Sequence, residues 1–426
     1  MALSLEVVHS GIIYLINEAS KMGELTVGLL TDKAIGSYKK LPFMSYDDRL
    51  NVLQSIKGIN KIIPQDSVSY SKNLKSLKPN FIIHGDVWKN NFLKNVRQEI
   101  IEIAKEWNGK LVEIDYKSKS NNQFYKNNTF LGTTSDIRRS SLSRLLEAKS
   151  IVRVLETHSP LSALIIEKTC YTKKDGTQRE IDAFWSSSLT DSATRAKPDI
   201  EAVDSSSRLN SINEIFEVTT KPLIYDADTG GKNEHLAFTV KNLERVGVSA
   251  AIIEDKSGLK RNSLFGNETE QQQETIENFC IKLESAKSAQ LTNDFMVIAR
   301  IESLILEKGI DDALLRAKEY IAAGADGIMI HSRKKDTKEI EEFANKYNKL
   351  SGRTYLVAVP TSYNSITENQ LVNLGFNIVI YANHMLRASY PAMQNVVESI
   401  LKNERSKELE ESLMSIKDVI NLIPLK

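Results

Sequence analysis

Short apolar runs alternate along the chain with helix-length stretches in which apolar residues recur every three or four positions. In the first third the runs are "LTVGLLT", "KIIPQ", "PNFIIHG" and "KLVEIDY", with helical spacing near 46–57 and 94–107. Runs of four to eight β-branched and apolar residues bounded by turn formers read as buried strands, and their alternation with helices predicts βαβ units on a parallel sheet covered on both faces. The rhythm begins without a complete first strand.

Residues 117–131, "KSKSNNQFYKNNTFL", are rich in Lys, Ser and Asn, lack periodicity and read as a loop that ends a domain. A boundary near 132 divides the chain into 1–132 and 133–426. Leu142, Leu145, Leu146 and Ile151 in "DIRRSSLSRLLEAKSIVRVLE" fall near helical spacing and predict a connecting helix. Beyond it come "LSALIIE", "PLIYDADT", "VSAAIIED", "FMVIARIE", "GADGIMIHS", "TYLVAVPT" and "FNIVIYANH". With "IDAFWSSS" as an eighth run, they match the strand number of a (β/α)8 barrel.

A length of 426 residues suits two or three domains. Net charge +1, with 41% hydrophobic and 26% charged residues, is the composition of an ordinary soluble globular protein and does not favour nucleic acid as a partner. Residues 1–131 carry +5 and the remainder −4, a mild asymmetry that a solvated surface explains. Cys170 and Cys280 have neither disulfide-framework nor zinc spacing, which fits a reducing cytoplasm. No signal-peptide pattern and no 18-residue apolar run occurs, so a cytoplasmic protein without a membrane partner is expected.

In such barrels the chemistry gathers at the C-terminal ends of the strands. Here these ends carry Asp226 and Asp228, Glu254, Asp255 and Lys256, Arg300 and Glu302, His331 and Ser332, and Asn383 and His384. Any one of them alone is more often a helix cap or a structural ion pair; their coincidence on one rim favours a site. Two residues apart on an extended chain, Asp226 and Asp228 face the same side and can support one hard divalent cation, with Glu254 as a third carboxylate. Magnesium suits one or two carboxylates plus substrate oxygens, while Lys260, Arg300 and His331 suit an anionic ligand bearing carboxylate or phosphate.

The runs "WSSSLTDS", "YDADTGG", "EDKSGLKRNSLFG", "ARIE", "MIHSR", "VPTSYN" and "YANH", in this order over about residues 138–426, resemble the phosphoenolpyruvate mutases of the isocitrate lyase superfamily. The "EDK" run followed after five residues by "NS" marks the phosphonate-forming branch. Related carbon–carbon lyases carry a catalytic Cys in a "KKCGH"-like loop, where this chain reads Lys260-Arg261-Asn262-Ser263. The resemblance implies a TIM-type barrel that moves the phosphoryl group of phosphoenolpyruvate from the enol oxygen to C3, giving phosphonopyruvate and opening phosphonate biosynthesis. It implies Mg2+ anchored on Asp226, with Asp228 and Glu254 reaching it largely through water. Trp185, Ser187, Ser188 and Leu189 would form the first substrate loop, Ser187 and the amides of Ser188 and Leu189 binding the carboxylate and carbonyl oxygens. Ser188 stands where many relatives carry Gly. Asp199 would be the acidic gating residue, Lys260 and Asn262 would belong to a mobile lid, and Arg300 and His331 would hold the phosphoryl oxygens. Without the resemblance, Asp199 after Pro198 would read as a surface turn. The family's barrels also form dimers or tetramers by exchanging last helices, which "NERSKELEESLMSIKDVINLIPLK" could supply, although a solvated terminal helix fits the sequence equally well.

In the first domain "TVGLLTDKAI", "LPFMSYDDRL" and "HGDVWK" resemble nucleotidyltransferases of the cytidylyltransferase type, implying a Rossmann-like α/β/α unit. Their "HxGH" motif binds nucleoside triphosphate at a helix start. Here it reads His9-Ser10-Gly11-Ile12, the "ISSTxL" element is replaced around Ser120–Gln123 by "SNNQ", and eight residues precede His9. These departures predict a degenerate domain in which His9, Gly11, His84 and Asp86 are motif remnants. The alternatives are a phosphonopyruvate hydrolase, a bifunctional mutase with an active phosphonate cytidylyltransferase, and a non-enzymatic scaffold, which the intact rim residues argue against.

Overall fold

The computed structural model describes residues 1–85, 88, 93–115, 133–268 and 270–422. In the N-terminal part β1 (Ala2–Leu3), β2 (Thr26–Leu30) and β3 (Lys61–Gln65) form a parallel sheet in that order, and β4 (Phe81–Gly85) pairs in parallel with β5 (Lys110–Ile114). The runs expected as strands are strands. The first strand is present in a two-residue form. Helices at Ser10–Ser20, Tyr46–Gln54 and Lys94–Ala104 lie between them, and Ile16, Leu29, Leu53 and Ile83 pack in one of two small cores.

The second part is a closed barrel of eight parallel strands. Its members are β6 (Val152–Glu156), β9 (Ala183–Ser186), β10 (Leu223–Asp226), β11 (Ala250–Glu254), β14 (Met296–Ile301), β15 (Gly327–Ile330), β16 (Tyr355–Ala358) and β17 (Ile378–Tyr381). Two antiparallel pairs interrupt the succession, the hairpin of β7 (Cys170–Thr172) with β8 (Gln178–Glu180) and the lid base of β12 (Lys256–Ser257) with β13 (Gln272–Gln273). β6 closes the ring between β17 and β9. Alternate residues of the strands point inward, so Val152, Val154, Ala183, Trp185, Ile252, Ile298, Met329 and Val357 fill the interior while their neighbours pack beneath the outer helices.

One expected strand is a helix. "LSALIIE" lies in the helix Pro160–Lys168, started by a capping box between Ser159 and Ser162 with Pro160 in the first turn. The missing strand is β6, at the end of the stretch read for its connecting helix. Its Val152 and Val154 are fully buried inside the barrel, whereas Arg153 and Leu155 alternate outward. The strand number was right through two opposite errors.

The connecting helix is Ser135–Ala148. Its Leu142, Leu145 and Leu146 join the interior cluster of the barrel, closing the end opposite the functional rim. Arg144, on the same helix, bonds Asp32 through Nε at 2.5 Å and Met44 O through Nη2 at 2.9 Å, so one helix serves both parts. Among the described residues no helix is long and apolar enough to cross a membrane.

Candidate active site

Strand ends put the rim residues in reach of one another. β9 delivers Trp185 and leads into Ser187 and Ser188; β10 ends at Asp226, β11 at Glu254, β14 carries Arg300 and β15 is followed at once by His331. A cavity of about 60 Å³ lies at their centre, touched by every residue to which the resemblance gave a substrate, metal or phosphoryl role except Asp228, and also by Ser263, Met329 and Thr361. That is room for about two waters. Larger cavities occur in the N-terminal part (about 640 Å³) and between the two parts (about 480 Å³). Around the interdomain cavity Lys40, Lys221 and Arg144 are each paired with a carboxylate.

At the acidic end, Asp226 Oδ2 accepts from Ser188 N at 3.2 Å and Ser188 Oγ at 2.9 Å. The Ser188 hydroxyl also accepts from Lys260 Nζ, and so joins Asp226 to the lysine. Lys260 further donates to Asp228 Oδ1. Asp228 is not on an extended chain; its φ of 55° turns it out of line with Asp226, which corrects the same-face argument from spacing. Its other oxygen faces Arg208 Nη1 at 3.4 Å.

Arg208 is the principal residue that the sequence did not reveal. From the first turn of the helix Ser205–Glu217 it donates to Asp191 Oδ2 at 2.8 Å, Asp226 O at 2.6 Å and Ser186 O at 3.0 Å, and its guanidinium lies 4.0 Å from the Tyr225 ring centre. No motif surrounds it.

The basic end is equally ordered. Arg300 donates through Nε to Glu302 Oε1 at 2.6 Å and through Nη2 to Ser263 Oγ at 2.6 Å, and the same Nη2 lies 3.1 Å from His331 Nδ1. A guanidinium can only donate, so that contact makes Nδ1 the acceptor and leaves the proton on Nε2. Asn383 lines the cavity, whereas His384 is exposed at the start of the following helix. Ser332 bonds Glu339 instead of facing the cavity.

Two loops meet above. Asp199 accepts from Lys260 Nζ at 2.9 Å and from Asn262 Nδ2 at 2.8 Å, so the residue that would otherwise read as a surface turn is buried against the lid.

Burial and charge set the protonation states. Burial raises the Asp226 carboxyl, but Lys260, Arg300 and Arg208 outweigh it and leave the group below its ordinary range. Burial prevails at Asp228, which rises to about 6, and at Glu254, which rises to about 7 against the pull of Arg300 and Lys256. Lys260 is buried yet held charged by Asp228 and Asp226. Burial and then Arg300 lower His331, which is therefore neutral.

For a divalent cation the fit is specific in one respect: Glu254 Oε1 is buried and has no hydrogen-bond partner. Among the described residues no three His, Cys, Asp or Glu groups form a ready direct-ligand set, so Asp226, Asp228 and Glu254 suit a cation that retains waters.

In the N-terminal part His9 caps the helix Ser10–Ser20, its Nδ1 accepting from Gly11 N at 3.2 Å. Ile12, in place of the second motif histidine, packs against the core. His84 donates to Gly85 O at 2.6 Å and stacks on Trp88 with ring centres 3.6 Å apart. Asp86 and the "SNNQ" stretch at 120–123 lie outside the described residues.

A family model described as phosphoenolpyruvate phosphomutase matches residues 142–401, and one described as cytidylyltransferase-like matches residues 5–140. The chain is 31% identical to the phosphoenolpyruvate phosphomutase of Tetrahymena pyriformis over 290 residues, spanning 68% of this chain and 92% of that protein. The solved phosphoenolpyruvate phosphomutase of Streptomyces platensis subsp. rosaceus superposes with a TM-score of 0.61 at 33% identity, covering 68% of this chain and 95% of the other. A solved phosphonopyruvate hydrolase complex with oxalate and Mg++ gives 0.57 at 32% identity over the same shares.

Proposed function

The chain belongs to the phosphoenolpyruvate phosphomutase family, and from that premise we propose that its barrel interconverts phosphoenolpyruvate and phosphonopyruvate. The observation that carries the reading is the closed ring of charge: Lys260 and Asn262 both bond Asp199 above Arg300 and His331, around a cavity of about 60 Å³. In the reaction the P–O bond to the enol oxygen breaks, its electron pair stays with the enolate, and C3 bonds to phosphorus. The migrating group is metaphosphate-like, so success depends on orientation, charge stabilisation and exclusion of water.

Arg300, and neutral His331 through its Nε2–H, would donate to the phosphoryl oxygens. Lys260 and Asn262 would follow the group across while their bonds to Asp199 keep the lid shut. Ser187 and the Leu189 amide would hold the carboxylate end. The Ser188 amide already donates to Asp226, so its expected substrate bond requires an exchange of partners. Magnesium belongs to the same proposal, held by Asp226 with Asp228 and Glu254 through water, and would supply Lewis-acid polarisation of the enolate oxygen.

Phosphonopyruvate hydrolysis is the second reading, and identities of 33% and 32% to the two solved enzymes do not separate them. Phosphorus NMR of the protein with phosphonopyruvate and Mg2+ decides. The mutase yields phosphoenolpyruvate first; inorganic phosphate without phosphoenolpyruvate would replace this reading with the hydrolase.

Residues 1–132 and 133–426 are the two domains in this proposal, the first retained for structure rather than nucleotide transfer. His9 used as a cap, Ile12 packed against the core and half-buried His84 stacked on Trp88 support this. Incubation with CTP and 2-aminoethyl- or 2-hydroxyethylphosphonate should release no pyrophosphate; release abolished by His9→Ala would restore an active cytidylyltransferase. A cytoplasmic location and homo-oligomers through the last helices complete the reading.

A further inference from the structure

Lys256 is a buried lysine that the proposed chemistry does not use. It lies two residues past the end of β11 and opens the lid hairpin, yet its side chain is only 3% exposed and runs beneath the lid instead of into solvent. Its ammonium donates to Arg261 O at 3.1 Å and Ser263 Oγ at 2.7 Å, both on the lid. On the barrel side it stands 3.2 Å from Glu302 Oε2 and 3.8 Å from Glu254 Oε2. Three ammonium hydrogens thus have Arg261 O, Ser263 Oγ and a carboxylate to meet.

Ser263 completes the connection. Its hydroxyl accepts from Lys256 and from Arg300 Nη2, and donates to Glu302 Oε2 at 2.5 Å. A hydroxyl has one donor and two acceptor positions, and all are filled. Opening the lid would take both lid partners from Lys256 and the whole set from Ser263, leaving charges inside the barrel less well solvated.

We propose that Lys256 is a positioning residue that holds the lid closed through Ser263 and so determines whether the phosphoryl group meets C3 or water. The inference rests on the mutase reading and adds to it the device that suppresses hydrolysis. In the unwanted reaction a water oxygen bonds to phosphorus as the C–P bond of phosphonopyruvate breaks; the carbon takes the water's proton, and pyruvate and phosphate result. Lys256 touches neither reacting atom.

Arg261 is an exposed tryptic site within the lid, so the rate of cleavage after it under native conditions reports lid opening. Lys256→Met and Ser263→Ala should each be cut about tenfold faster than the parent. The phosphate-to-phosphoenolpyruvate ratio formed from phosphonopyruvate should also rise severalfold. An unchanged cleavage rate in either folded variant overturns the proposal, as does faster cleavage with an unchanged product ratio, which reduces Lys256 to a structural ion pair. Should Lys256→Met fail to fold, Ser263→Ala decides alone, because it leaves the buried lysine and carboxylates in place. A parent that forms no phosphoenolpyruvate would sink the mutase reading, a result distinct from either failure here.

Discussion

Asp226 is organised by neighbours on other elements: Ser188 from the loop after β9, and the charges of Lys260, Arg300 and Arg208. Replacing it by Ala removes the proposed metal anchor and the acceptor that orients Ser188. Turnover measured by phosphorus NMR should fall about 10³-fold or more, with the circular dichroism spectrum retained; a rate within tenfold of the parent would refute its role. A second residue-level expectation concerns acid stability. Burial lowers His84 from 6.5 to about 4, so the fold binds it neutral. A depressed value means that its contribution is present above pH 6.5 and is lost as pH falls through 4. Urea unfolding followed by tryptophan fluorescence should lose on the order of 3 kcal/mol over that window, and His84→Phe, which keeps the stack on Trp88, should remove this part of the slope. At this scale the rim residues were legible because strand ends and a motif marked them. Arg208 was not, since a helix-borne arginine acquires meaning only from the Tyr225 ring and the Asp191 and Asp228 carboxylates that folding brings to it.

Among the elements, the connecting helix both packs into the barrel interior and bonds the N-terminal part. Leu142 is fully buried in the barrel interior, and Leu142→Ala should cost about 2–5 kcal/mol by lost transfer energy and cavity formation. Denaturant unfolding of the barrel would register it, and a loss below about 1 kcal/mol would mean that the floor relaxes around the gap. Apolar periodicity made this helix readable, but it also hid β6. "SIVRVLE" continues a helical phase by chance, and the period-two burial of Val152 and Val154 emerges only when β9 and β17 lie on either side. In the same way "LSALIIE" has a strand's composition, while the capping box at Ser159 and Ser162, two small polar residues before and inside the run, settles it as a helix.

For the whole molecule, the two-part α/β architecture was readable from the alternation of strands and helices, and association is where the isolated chain is least informative. The last long helix, His384–Asn403, buries none of its residues, and Tyr390, Met393, Val397 and Leu401 are exposed at 68%, 59%, 56% and 74% along one side. If copies exchange these helices, Val397→Asp should convert the assembly to monomers in light scattering, and a parent already monomeric would dismiss the exchange. The connecting helix Ser135–Ala148 carries a different consequence for anyone dividing the gene. The family matches end at 140 and resume at 142, within that helix, so similarity alone suggests a cut through it. A separately expressed catalytic half must begin ahead of Ser135: starting it at Ile151, just before β6, would leave the barrel without its floor and expose the greasy interior to water.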